Sequence, residues 1–161
     1  MNMEQKICIE ALYLEMYDKL MVYARVSLDS ESLAEEAVQE TFRVACQKPD
    51  SICSSENPRG WLVNTLKNTI RNMKSSRAIA KRIVETYMIT QLREFSVSED
   101  RINLNVLHEN VADTEEFKLL SEMAIEGRSH EEMARSRGIT VTACRKRVKR
   151  AKETLQRKIR N

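Results

Sequence analysis

Turn-forming and rigid residues are scarce: 161 residues include 3 glycines and 2 prolines, and aromatic residues make up only 5%. A sheet protein with many turns needs more of all three, so the composition excludes that architecture and points to an all-α chain. No run of about 18 apolar residues occurs, which argues against a membrane span. Met1 to Glu10 mixes charges with short apolar stretches and lacks the apolar centre of a signal peptide. The chain is therefore expected in the cytoplasm, without membrane insertion. The cysteines, Cys8, Cys46, Cys53 and Cys144, are scattered, and no CxxC or Cys/His pair has zinc spacing, so free and mostly packed thiols and no metal are expected. His108 and His130 lie far apart with no Ser or Cys motif beside them, and a catalytic triad has no sequence support. An enzyme is not expected, nor a cofactor.

Charge is abundant and comes in blocks. Met1 to Glu56 holds 5 Lys/Arg against 11 Asp/Glu, and Asn57 to Arg82 holds 7 against none. Ile83 to Gly127 returns to 3 against 10, and Arg128 to Asn161 rises to 12 against 3. Two compact basic blocks separated by an acidic one read as two phosphate-binding surfaces, because cations gain by displacing counterions from a polyanion. Solvated basic helix faces are the bland reading.

Helical periodicity organises most of the chain. From Cys8 to Leu28, the residues Leu12, Met16, Leu20 and Tyr23 form an apolar stripe. Asp29 or Ser30 can cap a second helix, with Leu33, Ala37, Val38, Thr41, Phe42 and Ala45 on one face and Glu36, Gln39, Glu40 and Arg43 elsewhere. A loop is predicted from about Lys48 to Glu56. Asn57 and Pro58 read as cap and first position of a third helix reaching about Ser75. Its stripe of Leu62, Leu66, Ile70 and Met73 faces inward, and Asn64, Lys67, Asn68, Arg71 and Ser75 gather opposite. Trp61 stands at the border beside Asn68 and Asn72. Carboxamides, cations and a ring suit the capture of a single-stranded base, although for Trp61 itself the core reading is the favoured one.

Arg77 to Asp113 is acidic and weakly periodic, helical at most over Ile83 to Leu92, and reads as a linker dividing the chain in two. Thr114 to Glu126 is a predicted helix. Ser129 with Glu131 and Glu132 starts a short helix ending at Gly138, and Thr140 caps a last helix reaching about Ile159. A short helix, a Gly turn and a longer helix form the helix-turn-helix pattern. In the last helix Cys144, Val148, Ala151 and Leu155 should pack inward, Thr142, Lys146, Lys149 and Arg150 should face outward, and Arg145 and Arg147 flank them. A cationic helix with a narrow apolar stripe is also compatible with a membrane surface. The preceding turn and helix favour DNA.

Three stretches carry a family resemblance. Ala34 to Phe42, AEEAVQETF, is similar to the region 2 signature of the extracytoplasmic-function sigma factors of bacterial RNA polymerase. Trp61 to Asn72, WLVNTLKNTIRN, resembles the helix that follows in that family. Gly127 to Leu155, GRSHEEMARSRGITVTACRKRVKRAKETL, aligns without a gap with the region 4 helix-turn-helix pattern. Together they cover about half of the chain, in the family's order.

The resemblance implies two small helical domains, region 2 at 3–77 and region 4 at 113–161, joined by a linker at 78–112. It implies that the protein binds bacterial core RNA polymerase and directs it to promoter DNA. By position, Glu36, Gln39, Glu40 and Arg43 would contact polymerase. Trp61, Asn64, Lys67, Asn68, Arg71, Asn72 and Lys74 would meet the −10 element. Thr140, Thr142, Arg145, Lys146, Arg147, Lys149 and Arg150 would meet the −35 element. An anti-sigma factor is a further partner that the family admits. The chain departs from the family pattern at Ala112, Asp113 and Met123, at Thr65 and Leu66, and at Asn72, where the family usually has Leu-Pro and Arg, Ile-Ala, and Asp. From the residues alone, a stand-alone helix-turn-helix regulator with an N-terminal dimerisation or sensor domain explains Gly127 to Leu155 equally well, but leaves the basic helix after Pro58 unexplained.

Overall fold

The computed structural model describes residues 1–97 and 114–161. Every regular element among them is an α-helix: α1 Met3–Ser27, α2 Glu31–Gln47, α3 Pro49–Cys53, α4 Pro58–Val97, α5 Glu115–Ala124, α6 His130–Arg137 and α7 Val141–Arg160. None of these helices is long and apolar enough to cross a membrane. The chain divides into two compact units, Met1–Ser75 and Ser76–Asn161, and each has its own apolar core.

In the first unit, α1 starts earlier than the apolar periodicity suggests because Asn2 and Gln5 form a reciprocal cap. Gln5 N donates to Asn2 Oδ1 at 2.8 Å and Asn2 N donates to Gln5 Oε1 at 2.9 Å. Ile9, Leu12, Met16, Leu20, Met21 and Ala24 are buried along this helix. Tyr23, expected in the stripe, is instead 41% exposed, its place inward being taken by Met21 and Ala24. Ser30 caps α2 through Leu33 N. The fully buried Ala34, Ala37 and Ala45 let neighbouring helices come close.

The loop predicted at 48–56 contains α3. Pro49 opens it and Ile52 is its fully buried anchor. Five residues are too few to show a period, which is why the pattern hid it. Asn57 starts α4, its Oδ1 accepting from Gly60 N at 2.9 Å, and Leu62, Leu66 and Ile70 complete the first core. Burying each such aliphatic side chain contributes about 1.5–3 kcal/mol.

The second unit corrects the linker reading. Helix α4 does not stop near Ser75 but runs to Val97, and no Pro or Gly interrupts it after Gly60. Ala80, Ile83, Val84 and Tyr87 are buried in the second core with Phe117, Leu120, Met123, Met133 and the inner face of α7. Residues 98–112 of the expected linker, with His108 and Ala112, and also Asp113, lie outside the described residues.

Polar contacts fasten this helix segment within its unit. Arg77 donates to the carbonyl oxygens of Met123 at 2.7 Å and Arg128 at 3.0 Å, serving acceptors at and beyond the end of α5. Lys152 Nζ donates to Ser76 Oγ at 2.6 Å. Burial, and then the nearby Arg77, hold the Lys152 ammonium below its ordinary range.

The helix pair α6 and α7 is closed by complementary caps. Ser129 and Glu132 form a reciprocal cap at the start of α6. Gly138 ends that helix at φ 62 and ψ 33, a left-handed conformation that favours glycine. Ile139 N then donates to Ala134 O at 3.1 Å, and Thr140 Oγ1 accepts from Ala143 N at 3.1 Å to start α7. Glu122 of α5 braces the turn before α6 and the end of α6 at once, accepting from Arg128 at 2.8 Å and from Arg137 at 2.7 Å. The Arg137 hydrogen bond is the main reason its carboxyl is held below the usual carboxylate range.

Candidate nucleic-acid interface

The first candidate surface is the outer face of α4 in the first unit. With Leu62, Leu66 and Ile70 committed to the core, Asn64, Lys67, Asn68, Arg71, Asn72 and Lys74 are exposed. Arg71 Nη1 donates to Asn68 Oδ1 at 3.4 Å, so a cation and a carboxamide stand together. Among the described residues no carboxylate pairs with Lys67, Arg71 or Lys74, whereas Arg59, about two turns before Lys67, is held by Glu15 at 2.7 Å. Unpaired cations keep their full charge for an external phosphate.

Trp61 packs against the rim of the first core and is half-buried. Its Nε1 donates to Ser51 Oγ of α3 at 3.2 Å. The indole N–H is thus spent inside the protein, and the core reading of this residue accounts for its contacts. The sequence pattern missed a second ring. Tyr23 of α1, displaced to the surface, lies 6.0 Å by its centroid from Lys67 Nζ and adds an aromatic surface beside the cations. Met21, on another side of α1, is buried in its stead.

The second candidate surface is α7. Cys144, Val148, Ala151 and Leu155 are buried, the four positions that the spacing assigns to the inner face. Thr142, Lys146, Arg147, Lys149 and Arg150 are exposed and Arg145 is half-exposed. Thr140 is exposed as well, but its oxygen already caps the helix. No acidic residue occurs between Ile139 and Lys152, so the outer face of this helix is cationic without interruption over its first three turns. The short α6, the three-residue turn at 138–140 and the longer α7 have the proportions of a helix-turn-helix.

The four residues expected at a protein contact on α2 do not share one environment. Gln39 and Arg43 are exposed and Glu40 is half-buried, its carboxylate held by Arg43 Nε at 2.8 Å. Glu36, expected on the exposed face, is 5% exposed. Its position off the apolar stripe did not keep it at the surface. Its direct availability to a partner is therefore corrected, while Gln39 and Arg43 remain accessible.

Among the described residues no group of three His, Cys, Asp or Glu side chains is placed to hold a metal ion. The chain matches no family model, no curated protein and no solved structure.

Proposed function

We propose that the protein is a sigma factor of the extracytoplasmic-function type, which binds core RNA polymerase and directs it to promoters. The observation that carries this reading is the pairing of two exposed, carboxylate-free cationic helix faces, one in each compact unit, the second on a helix-turn-helix. The motifs at Ala34 to Phe42, Trp61 to Asn72 and Gly127 to Leu155 supply the family context. On this reading the α4 face holds the opened −10 strand, its carboxamides addressing base edges and its cations the phosphates. The α7 face lies in the major groove of the −35 element. Neither face needs to bind tightly alone, because attachment of both to polymerase raises their effective concentration at a promoter. Polymerase supplies the nucleotidyl chemistry.

Run-off transcription with core polymerase and a library of promoters tests the proposal. Specific initiation is expected, and its absence with active core polymerase would overturn it. A second reading, a stand-alone helix-turn-helix regulator with an N-terminal dimerisation domain, is favoured by one feature: Met3, Ile7, Leu14, Val22 and Val26 of α1 are apolar and exposed. Size-exclusion with and without core polymerase separates the two, since the regulator elutes as a dimer and ignores polymerase.

A further inference from the structure

Helices α1 and α3 pack together in the first unit. Gln5 and Cys8 stand about one turn apart on α1, and Asp50 and Cys53 about one turn apart on α3, so each helix offers a polar position followed by a thiol. The polar pair is joined by Gln5 Nε2 donating to Asp50 Oδ1 at 2.5 Å. Cys53 Sγ donates to the Gln5 carbonyl oxygen at 3.8 Å. Both thiols pack against the rim of the first core without being fully buried, and all four cysteines of the chain are reduced. Burial, and then the neighbouring Cys8, push the Cys53 thiol up to about 11.

We propose that Cys8 and Cys53 form a reversible oxidation site, which a low-molecular-weight disulfide closes into an intramolecular disulfide stapling α1 to α3. Either thiol of the pair can make the first attack, and the products are the same; Cys8 is taken first. The Cys8 thiolate attacks one sulfur of the small disulfide RSSR, the S–S bond breaks, and one RSH leaves after taking up a proton. Cys53 then gives up its proton and its sulfur attacks Cys8 Sγ. The bond from Cys8 to the small thiol breaks and the second RSH departs. The protein sulfurs lose two electrons, the small disulfide gains them, and both thiol protons end on the two RSH molecules.

Closure has a built-in reporter. Helix α3 holds Trp61 through Ser51 Oγ, and Trp61 is the single tryptophan of the chain. Fixing α3 against α1 alters the setting of that indole. Cys46 is exposed on α2 and Cys144 is buried in the second unit, so neither shares the seam.

The test treats the full chain with glutathione disulfide or with reduced glutathione, blocks free thiols by alkylation and maps the peptides by mass spectrometry. Expected are a Cys8–Cys53 cross-linked peptide lighter by two hydrogens, its reversal by reduced glutathione, and a change in Trp61 emission that follows cross-linking. The Cys46→Ser, Cys144→Ser double variant should retain all three. Cys8→Ser and Cys53→Ser should each stop at a mixed disulfide with glutathione and leave the emission unchanged. The cross-link should form roughly tenfold faster in the folded chain than in urea, because folding raises the local concentration of the pair. Independent glutathionylation of Cys8 and Cys53, a cross-link through Cys46, or equal rates in urea would each overturn the proposal.

Discussion

The cationic faces of α4 and α7 are built on the same plan and finished differently. In each, an apolar stripe commits one side of the helix to a core and leaves cations on the other. On α4 the cations alternate with Asn64, Asn68 and Asn72, and Tyr23 lies against Lys67. On α7 the residues from Arg145 to Arg150 are basic except for the inward Val148, and the helix is presented by a preceding helix and a tight Gly138 turn. On the proposed function, charge accounts for attraction to nucleic acid in both. The difference lies in what accompanies the charge: carboxamides and a ring suit separated bases, and a dense cationic helix on a rigid mount suits a duplex groove.

The comparison depends first on α4 serving both units, and the largest expected effect tests that. Val84→Asp places a charge in the second core and should destabilise that unit by about 4 kcal/mol or more, read as loss of its cooperative unfolding transition in urea. If residues 76–97 only linked the units, the change would be nearly silent.

Next comes the brace behind the α7 mount. Glu122→Gln should cost about 2 kcal/mol by weakening charged hydrogen bonds to Arg128 and Arg137. Because the folded carboxyl is held below its unfolded value, the unfolded state binds more protons in between. The stability from Glu122 is thus present above the unfolded carboxyl range, about pH 4.3, and is lost as the pH falls through the depressed folded value. Urea titrations across acidic pH should show a drop in the wild type that is reduced in the variant.

On the proposed reading, Arg150 and Arg147 sharpen the contrast within α7. Arg150→Ala should relax −35 base preference by ~1–3 kcal/mol, whereas Arg147→Ala should weaken all duplexes alike and reduce the salt slope by about one. Binding to −35 variants at several salt concentrations reads both. Asn68→Ala on α4 should change −10 preference and leave −35 preference alone. The smallest effect is expected at the turn: Gly138→Ala should cost about 1 kcal/mol through its left-handed backbone, measured as a lowered melting temperature with DNA preference unchanged.

Legibility in the sequence followed the strength of local signals. The caps at Asn57, Ser129 and Thr140 and the stop at Gly138 could be read directly, and that of α2 was narrowed to Asp29 or Ser30, because each is a side-chain or glycine signal confined to a few residues. The inner stripe of α7 was equally plain, since a polar helix with four regularly spaced apolar residues has one way to face a core. The extension of α4 was missed, although Ala80, Ile83, Val84 and Tyr87 follow helical spacing and no breaker stands before them. Acidic composition and weak periodicity suggested a boundary, and charge composition does not end a helix. At the candidate site, the exposed cations and carboxamides were readable from periodicity, while the burial of Glu36 and the exposure of Tyr23 were not.

By itself the sequence determined the helical class, most of the helix starts that carry caps, and the two cationic faces, because each depends on residues within a few turns of one another. Only the tertiary structure decided which of two competing apolar residues filled a core, as with Met21 over Tyr23, and that the segment after Ser76 belongs to the second unit. It alone brought Cys8 to Cys53, Trp61 to Ser51 and Glu122 to two arginines. Such choices rest on packing and desolvation between segments distant in sequence, where neighbouring volume and not local propensity selects the winner.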